Sequence, residues 1–238
     1  MMNKREKNRL LKKKKLMLTY LYLSVEYHRK NYEKNFERLT RGLETDLKSD
    51  YFKMVKKSLP RGKKIPRLEP VSQVAFNFST VPGVAFELDS FFNSLKRLLD
   101  CLAQIITLEL KNSELSSIRK FCKKCGDPRG NIDLKNDEFS LFFSKNHPEL
   151  AVRYSIEWMG WIENLNDYRD HIAHKLIEEP VCYISFYWPK EISIKTTPKT
   201  EINLGWKGKN ILKYNQFMVA EVRNLMIWTL DYLDTQNP

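Results

Sequence analysis

Three stretches of this sequence carry apolar side chains at helical spacing through several turns each. Helices of that length and character reach a stable state by packing against one another. The clearest runs from Glu87 to Leu108. There Phe91, Phe92, Leu95, Leu98, Leu99, Leu102, Ile105 and Ile106 form one stripe, and Glu87 and Asp89 supply acids suited to a first turn. The second runs from Glu149 to Glu179, with Trp158, Trp161, Ile162, Leu165, Tyr168, Ile172 and Leu176 on one stripe and Pro180 as its stop. In the third, Asn210 to Leu233, residues such as Leu212, Phe217, Val222, Leu225, Trp228 and Leu233 are apolar nearly all round, the mark of a helix buried between others. Leu10 to Phe36 has no breaker and adds one long helix or two short ones. A shorter helical stretch is expected around Leu115 to Phe121.

Runs of β type are few. Gln73 to Thr80 alternates Val74, Phe76 and Phe78 with polar neighbours and predicts a short strand. Val181 to Trp188, Ile192 to Thr197 and Glu201 to Trp206, joined by turn residues, predict a small antiparallel hairpin or meander inserted around 181–206. The fold class that follows is mainly α (α+β): an antiparallel helical bundle with a small β insertion. The chain divides into a basic, largely helical segment with its linker, residues 1–67, and a bundle, residues 68–238. The linker is read from the three Pro and one Gly between residues 58 and 70.

Charge follows the same division. Residues 1–67 hold 21 basic and 7 acidic side chains, and the other 171 hold 20 and 22, so the whole excess behind the net +12 lies in the first quarter. Lys4 to Lys15 is nearly continuous base, and Lys56, Lys57, Arg61, Lys63, Lys64 and Arg67 form a second cluster. Such a stripe attracts a polyanion, nucleic acid before others, because each cation that meets a phosphate releases counterions; a solubilising face is the plain alternative. Four cysteines are too few and too scattered for a disulfide framework, which points to a reducing, cytoplasmic setting. No segment reaches the roughly 18 apolar residues of a membrane span. Leu16 to Val25 follows a basic run but contains Thr19, two Tyr and Ser24 and is followed by no small-residue cleavage site, so it is not read as an export signal.

The residues able to do chemistry crowd into Tyr168-Arg169-Asp170-His171-Ile172-Ala173-His174. At about 100° per residue, with Leu165 at the centre of the buried stripe, Asp167, Asp170, His171 and His174 share the opposite face, while Arg169 lies only about 40° from the stripe. A guanidinium so placed must find an anion or reach out at an edge, because an unpaired buried charge is too costly. Asp170 and His174 are four apart, so the carboxylate can favour the charged imidazole and prepare it for proton transfer near neutral pH.

Arg169, four residues, then His174, with a polar residue directly after the arginine and a position late in a bundle helix, resembles the R-x4-6-H signature of the HEPN superfamily. The resemblance covers roughly residues 84–235, with Glu87 to Leu108 as the partner helix; the long basic N-terminal segment has no counterpart in the minimal family fold. It implies a metal-independent endoribonuclease acting as a dimer whose two motifs face one cleft. Arg169 would then hold the scissile phosphate, His174 would be general base or acid toward the ribose 2′-hydroxyl, and Asp170 would orient it. His171, Lys63, Lys64 and Arg67 would bind substrate. RNA is the partner implied, with a second copy of the chain and an antitoxin or other protein as further ones; neither cofactor nor metal is required. Toxin, defence and RNA-processing roles fit equally.

Other readings stay open from sequence. Arg169 and His174 suit a structural ion pair or capping cluster near a helix C-terminus, or a non-catalytic module that binds nucleotide, RNA or protein. Asp167, Asp170, His171 and His174 have spacings a divalent metal accepts, and Cys122-Lys-Lys-Cys125 has zinc-knuckle spacing without a second pair. Cys101 and Cys182 read as core residues. Tyr187, Trp188 and Trp206 offer aromatic surface for a partner or for stacked bases.

Overall fold

The computed structural model describes residues 3–77, 80–111, 113, 115, 117–125, 138–175, 181–205 and 208–236, and of these the side chains of residues 123–125, 139, 140 and 173–175 lie outside the description. Its elements run α1 (Lys4–Ser58), β1 (Val71–Phe76), α2 (Pro82–Lys111), α3 (Ile118–Cys125), α4 (Glu138–Asn146), α5 (Pro148–Glu157), α6 (Glu163–Lys175), β2 (Cys182–Tyr187), β3 (Lys199–Leu204) and α7 (Ile211–Gln236). The chain is mainly α with a three-stranded antiparallel sheet. Among the described residues no helix is long and apolar enough to cross a membrane.

Two compact units are distinguished. The first holds Met1–His28, Asp89–Asp170 and Gln216–Pro238. Its core is the stripe foreseen on α2: Phe91, Phe92, Leu95, Leu98, Leu99, Leu102, Ile105 and Ile106 are all fully buried. The N-terminal part of α1 lies along α2. Lys7 Nζ donates to the Glu109 carbonyl (2.9 Å) and the Ser24 and Ser94 hydroxyls share a hydrogen bond of 3.0 Å, so rising numbers on α1 meet falling numbers on α2 and the pair is antiparallel. α3 starts where Asp100 Oδ1 accepts the Ile118 amide (2.8 Å). Phe121, Phe143 and Tyr154 meet edge to face around α3, α4 and α5, with centroids 5.0–5.3 Å apart. The buried Tyr154 hydroxyl bonds Thr229 Oγ1 of α7 (2.8 Å).

The single helix expected over Glu149–Glu179 is interrupted. Between α5 and α6 the residues Trp158–Ile162 form one π-helical turn, which buries Trp158, Trp161 and Ile162 together. Glu157, itself buried, accepts from Trp161 Nε1 and pairs with Arg153 at 2.7 Å, so its charge is matched where it sits.

The second unit holds Arg29–Leu88 and His171–Asn215. Here α1 buries Tyr32 and Phe36, and Asn31 and Asn35 reach Glu87 Oε1 (3.3 Å) and the Gly83 carbonyl (3.5 Å) at the start of α2. Pro60 ends α1; a 3-10 turn follows and closes on Gly62, whose φ of 59° is left-handed and suits glycine. The sheet has the order β1-β2-β3, so β2 is central and buries Cys182, Ile184, Ser185 and Phe186. β1 pairs with β2 from Val71↔Tyr187 to Phe76↔Cys182, which makes the sheet larger than the insertion expected around 181–206. Ile192 to Thr197 does not form the strand predicted there. Pro189 and Pro198 flank it and deny ladder donors, and Ser193 and Thr196 close a turn instead, with the Ser193 amide donating to Thr196 Oγ1 (2.6 Å).

Candidate functional site

Arg169 and Asp170 lie in the first unit on α6, where Leu165, Tyr168 and Ile172 are buried and Asp167 and Asp170 exposed, so these five residues lie as the spacing predicts; Leu176 of the stripe and the His174 side chain lie outside the described residues. The Arg169 side chain is 34% exposed and does reach an edge. Its Nε donates to Asn93 Oδ1 of α2 at 3.0 Å, and Asn93 Nδ2 donates in turn to Asp89 Oδ2 at 3.0 Å. Nη1 lies 3.4 Å from Asp170 Oδ1. The guanidinium is therefore held from α2 by a neutral acceptor, with Asp89 fixing that acceptor's orientation. Nη2 has no hydrogen-bond partner among the described residues, so both of its N–H donors are open. Phe92, next to Asn93, stacks on Tyr168, next to Arg169, with centroids 6.4 Å apart, so packing fixes the two backbones that carry the polar pair.

Asn93 and Asp89 are the residues that spacing did not single out for this role. The available signal was an asparagine on the polar face of that helix, opposite its apolar stripe and four positions after an aspartate.

His171 is half-buried and engaged in interactions of its own. His174 belongs to the last turn of α6; its imidazole lies outside the described residues. Five helical positions separate Arg169 from His174, about 140° around the axis and about 7.5 Å along it, so the two do not present to one point from a single straight helix.

Lys63, Lys64 and Arg67 belong to the second unit, where all three are exposed in the non-helical segment between Gly62 and β1. Arg67 lines a cavity together with Trp188 and Lys190. Trp206 lies outside the described residues, as does the Cys125 side chain.

The remaining titratable groups fit core roles. Burial pushes the Cys182 thiol up to about 12 and also raises that of Cys101, which makes both poor nucleophiles. Cys122 is buried too. His147, only 9% exposed, has its pKa lowered by burial, and its Nδ1 shares a 3.0 Å hydrogen bond with the Tyr232 hydroxyl. Among the described residues no three His, Cys, Asp or Glu side chains gather as metal ligands would. Comparison of the chain with models of known families, with curated proteins and with solved structures finds no match, so the functional reading rests on the residues just described.

Proposed function

We propose that the chain is a metal-independent endoribonuclease of HEPN type, working as a homodimer in which Arg169 of one copy and His174 of the other serve the same phosphate. The observation that carries the reading is the placement of Arg169: a cation at an exposed edge of α6, pinned through Nε by Asn93, with Nη2 turned to no partner among the described residues. A pinned guanidinium is what a developing phosphorane charge requires, because donors already in place need no reorganisation as the charge forms. Pairing across two copies removes the 140° separation that a single helix imposes.

In the reaction, His174 takes the proton of the ribose 2′-hydroxyl. The freed oxygen forms a bond to phosphorus as the bond from phosphorus to the 5′ oxygen breaks, and that oxygen leaves with the proton that the His174 imidazolium gives back. The products are a 2′,3′-cyclic phosphate and a 5′-hydroxyl. Asp170, four residues before His174, favours the imidazolium once it has formed. The basic residues of the N-terminal segment draw the RNA to the protein.

Incubation of the purified protein with end-labelled RNA in excess chelator tests this. Cleavage that survives chelator, disappears in Arg169→Ala and His174→Ala, and spares a strand with a 2′-deoxy group at the scissile position supports the proposal. Cleavage sensitive to chelator, or tight binding of RNA that stays intact, contradicts it.

A further inference from the structure

The second unit contains a cavity of about 500 Å³, within the size range of sites that hold small molecules. Tyr51, near the end of α1, Arg67, from the segment before β1, and Trp188, Lys190 and Glu191, just beyond β2, contribute to its lining. The Trp188 wall is fixed in advance. Its amide donates to the Pro70 carbonyl (3.0 Å), its indole Nε1 to Ser72 Oγ (3.2 Å), and Phe186 stacks on it with centroids 6.3 Å apart. With the indole N–H already used, Trp188 offers the cavity only ring carbon. The charged groups differ: Arg67, Lys190 and Glu191 have no ion-pair or hydrogen-bond partner among the described residues.

Two cations beside one carboxylate give a small net positive charge, which suits one phosphate group, monoester or diester, better than the more highly charged di- or triphosphate. Aromatic carbon beside that charge suits a flat, uncharged ring. We propose that this cavity binds one nucleotide, its phosphate on Arg67 and Lys190 and its base against Trp188 and Tyr51. Lys63 and Lys64, exposed just before Arg67, add attraction for an approaching strand. The occupant is either a free nucleoside monophosphate or an unpaired nucleotide of an RNA chain, and the site stands whether or not the protein cleaves RNA.

Calorimetric titration of the full chain with AMP, ribose 5-phosphate, inorganic phosphate and a five-residue oligoadenylate tests the assignment. AMP is expected to bind saturably, with ribose 5-phosphate and inorganic phosphate each weaker by roughly tenfold or more because they lack the base. Arg67→Gln and Lys190→Gln are each expected to weaken AMP binding by roughly tenfold or more, the effect of losing a charge-assisted hydrogen bond, with far-ultraviolet circular dichroism unchanged. Oligoadenylate at least tenfold tighter than AMP and competing with it identifies the chain nucleotide; equal affinity identifies the free one. Absence of saturable AMP and oligoadenylate binding, phosphate binding as tight as AMP, or unchanged affinity in both variants overturns the proposal. The same protein samples assayed for cleavage in chelator separate this result from the ribonuclease reading: cleavage without AMP or oligoadenylate binding removes only the cavity's role.

Discussion

Replacing Asn93 with alanine removes the one neutral acceptor that pins Arg169 among the described residues. In the folded protein Arg169 Nε donates to Asn93 Oδ1 at 3.0 Å, and its other contact, Asp170 at 3.4 Å, involves a carboxylate 55% exposed. An ion pair so open to solvent holds little, about 0–1 kcal/mol, so Asn93 dominates. A hydrogen bond to a charged donor is worth about 1.5–3 kcal/mol, and the partial exposure of Arg169 places this one at the lower end, about 1.5 kcal/mol. If the pinned geometry matters to the transition state, Asn93→Ala lowers single-turnover RNA cleavage roughly tenfold while RNA affinity moves little. Arg169→Ala should then mask the change: adding Asn93→Ala to it costs nearly nothing further, for a coupling of about 1 kcal/mol or more in the double-mutant cycle. Quenched-flow cleavage of a labelled strand in chelator gives all four rates. Full additivity of the two substitutions, or a folded Asn93→Ala protein that cleaves at the parent rate, refutes the role given to this contact.

The buried Tyr154 and Thr229 hydroxyls pair at 2.8 Å. Tyr154→Phe should therefore cost about 1–3 kcal/mol in denaturant unfolding by leaving Thr229 without its partner, and Tyr154→Phe with Thr229→Val should recover much of that loss; additive losses would count against the pairing. His147 is held below its ordinary value of 6.5 by burial. The unfolded chain thus binds this proton more readily than the folded one, and stability contributed here is complete above 6.5 and falls as the pH drops from 6.5 toward the lowered value. Melting His147→Gln beside the parent from pH 7.5 to 5 should show a flatter fall for the variant; parallel curves would contradict the assignment. Leu99, fully buried on α2, should cost about 3–5 kcal/mol as Leu99→Ala by calorimetry, and a loss under about 1 kcal/mol would mean the stripe is less tightly packed than its burial implies.

What the sequence made legible follows from the range of the interactions concerned. The α2 stripe, the exposed Asp167 and Asp170 of α6 and the linker around Pro60 depend on neighbours within a turn or two, and local pattern reveals them. The helix expected over Leu10–Phe36 instead runs from Lys4 to Ser58, because no proline precedes Pro60. The start of α2 was less legible: Pro82, at its first position, adds a turn before Glu87. The pairing of β1 with β2 joins residues more than a hundred positions apart, and nothing local announces it. Similarly, the acceptor for Arg169 comes from a helix 76 positions earlier. Angles on α6 show that the guanidinium needs a partner at an edge, not that Asn93 is that partner. The π turn at Trp158–Ile162 escaped because a run of large apolar residues reads as α-helix whether or not one turn is widened. The cavity beside Trp188 joins two segments that were each noticed, Arg67 for charge and Trp188 for aromatic surface, but only the fold brings them to one place.

The shared phosphate site is tested most directly by mixing two inactive proteins. Arg169→Ala and His174→Ala, each silent alone, are unfolded together and refolded so that subunits redistribute. Each mixed dimer then carries one complete site, Arg169 from one copy and His174 from the other, and cleavage should return to about a quarter of the parent rate. A mixture as silent as its two components, with dimers confirmed by light scattering, would contradict the account.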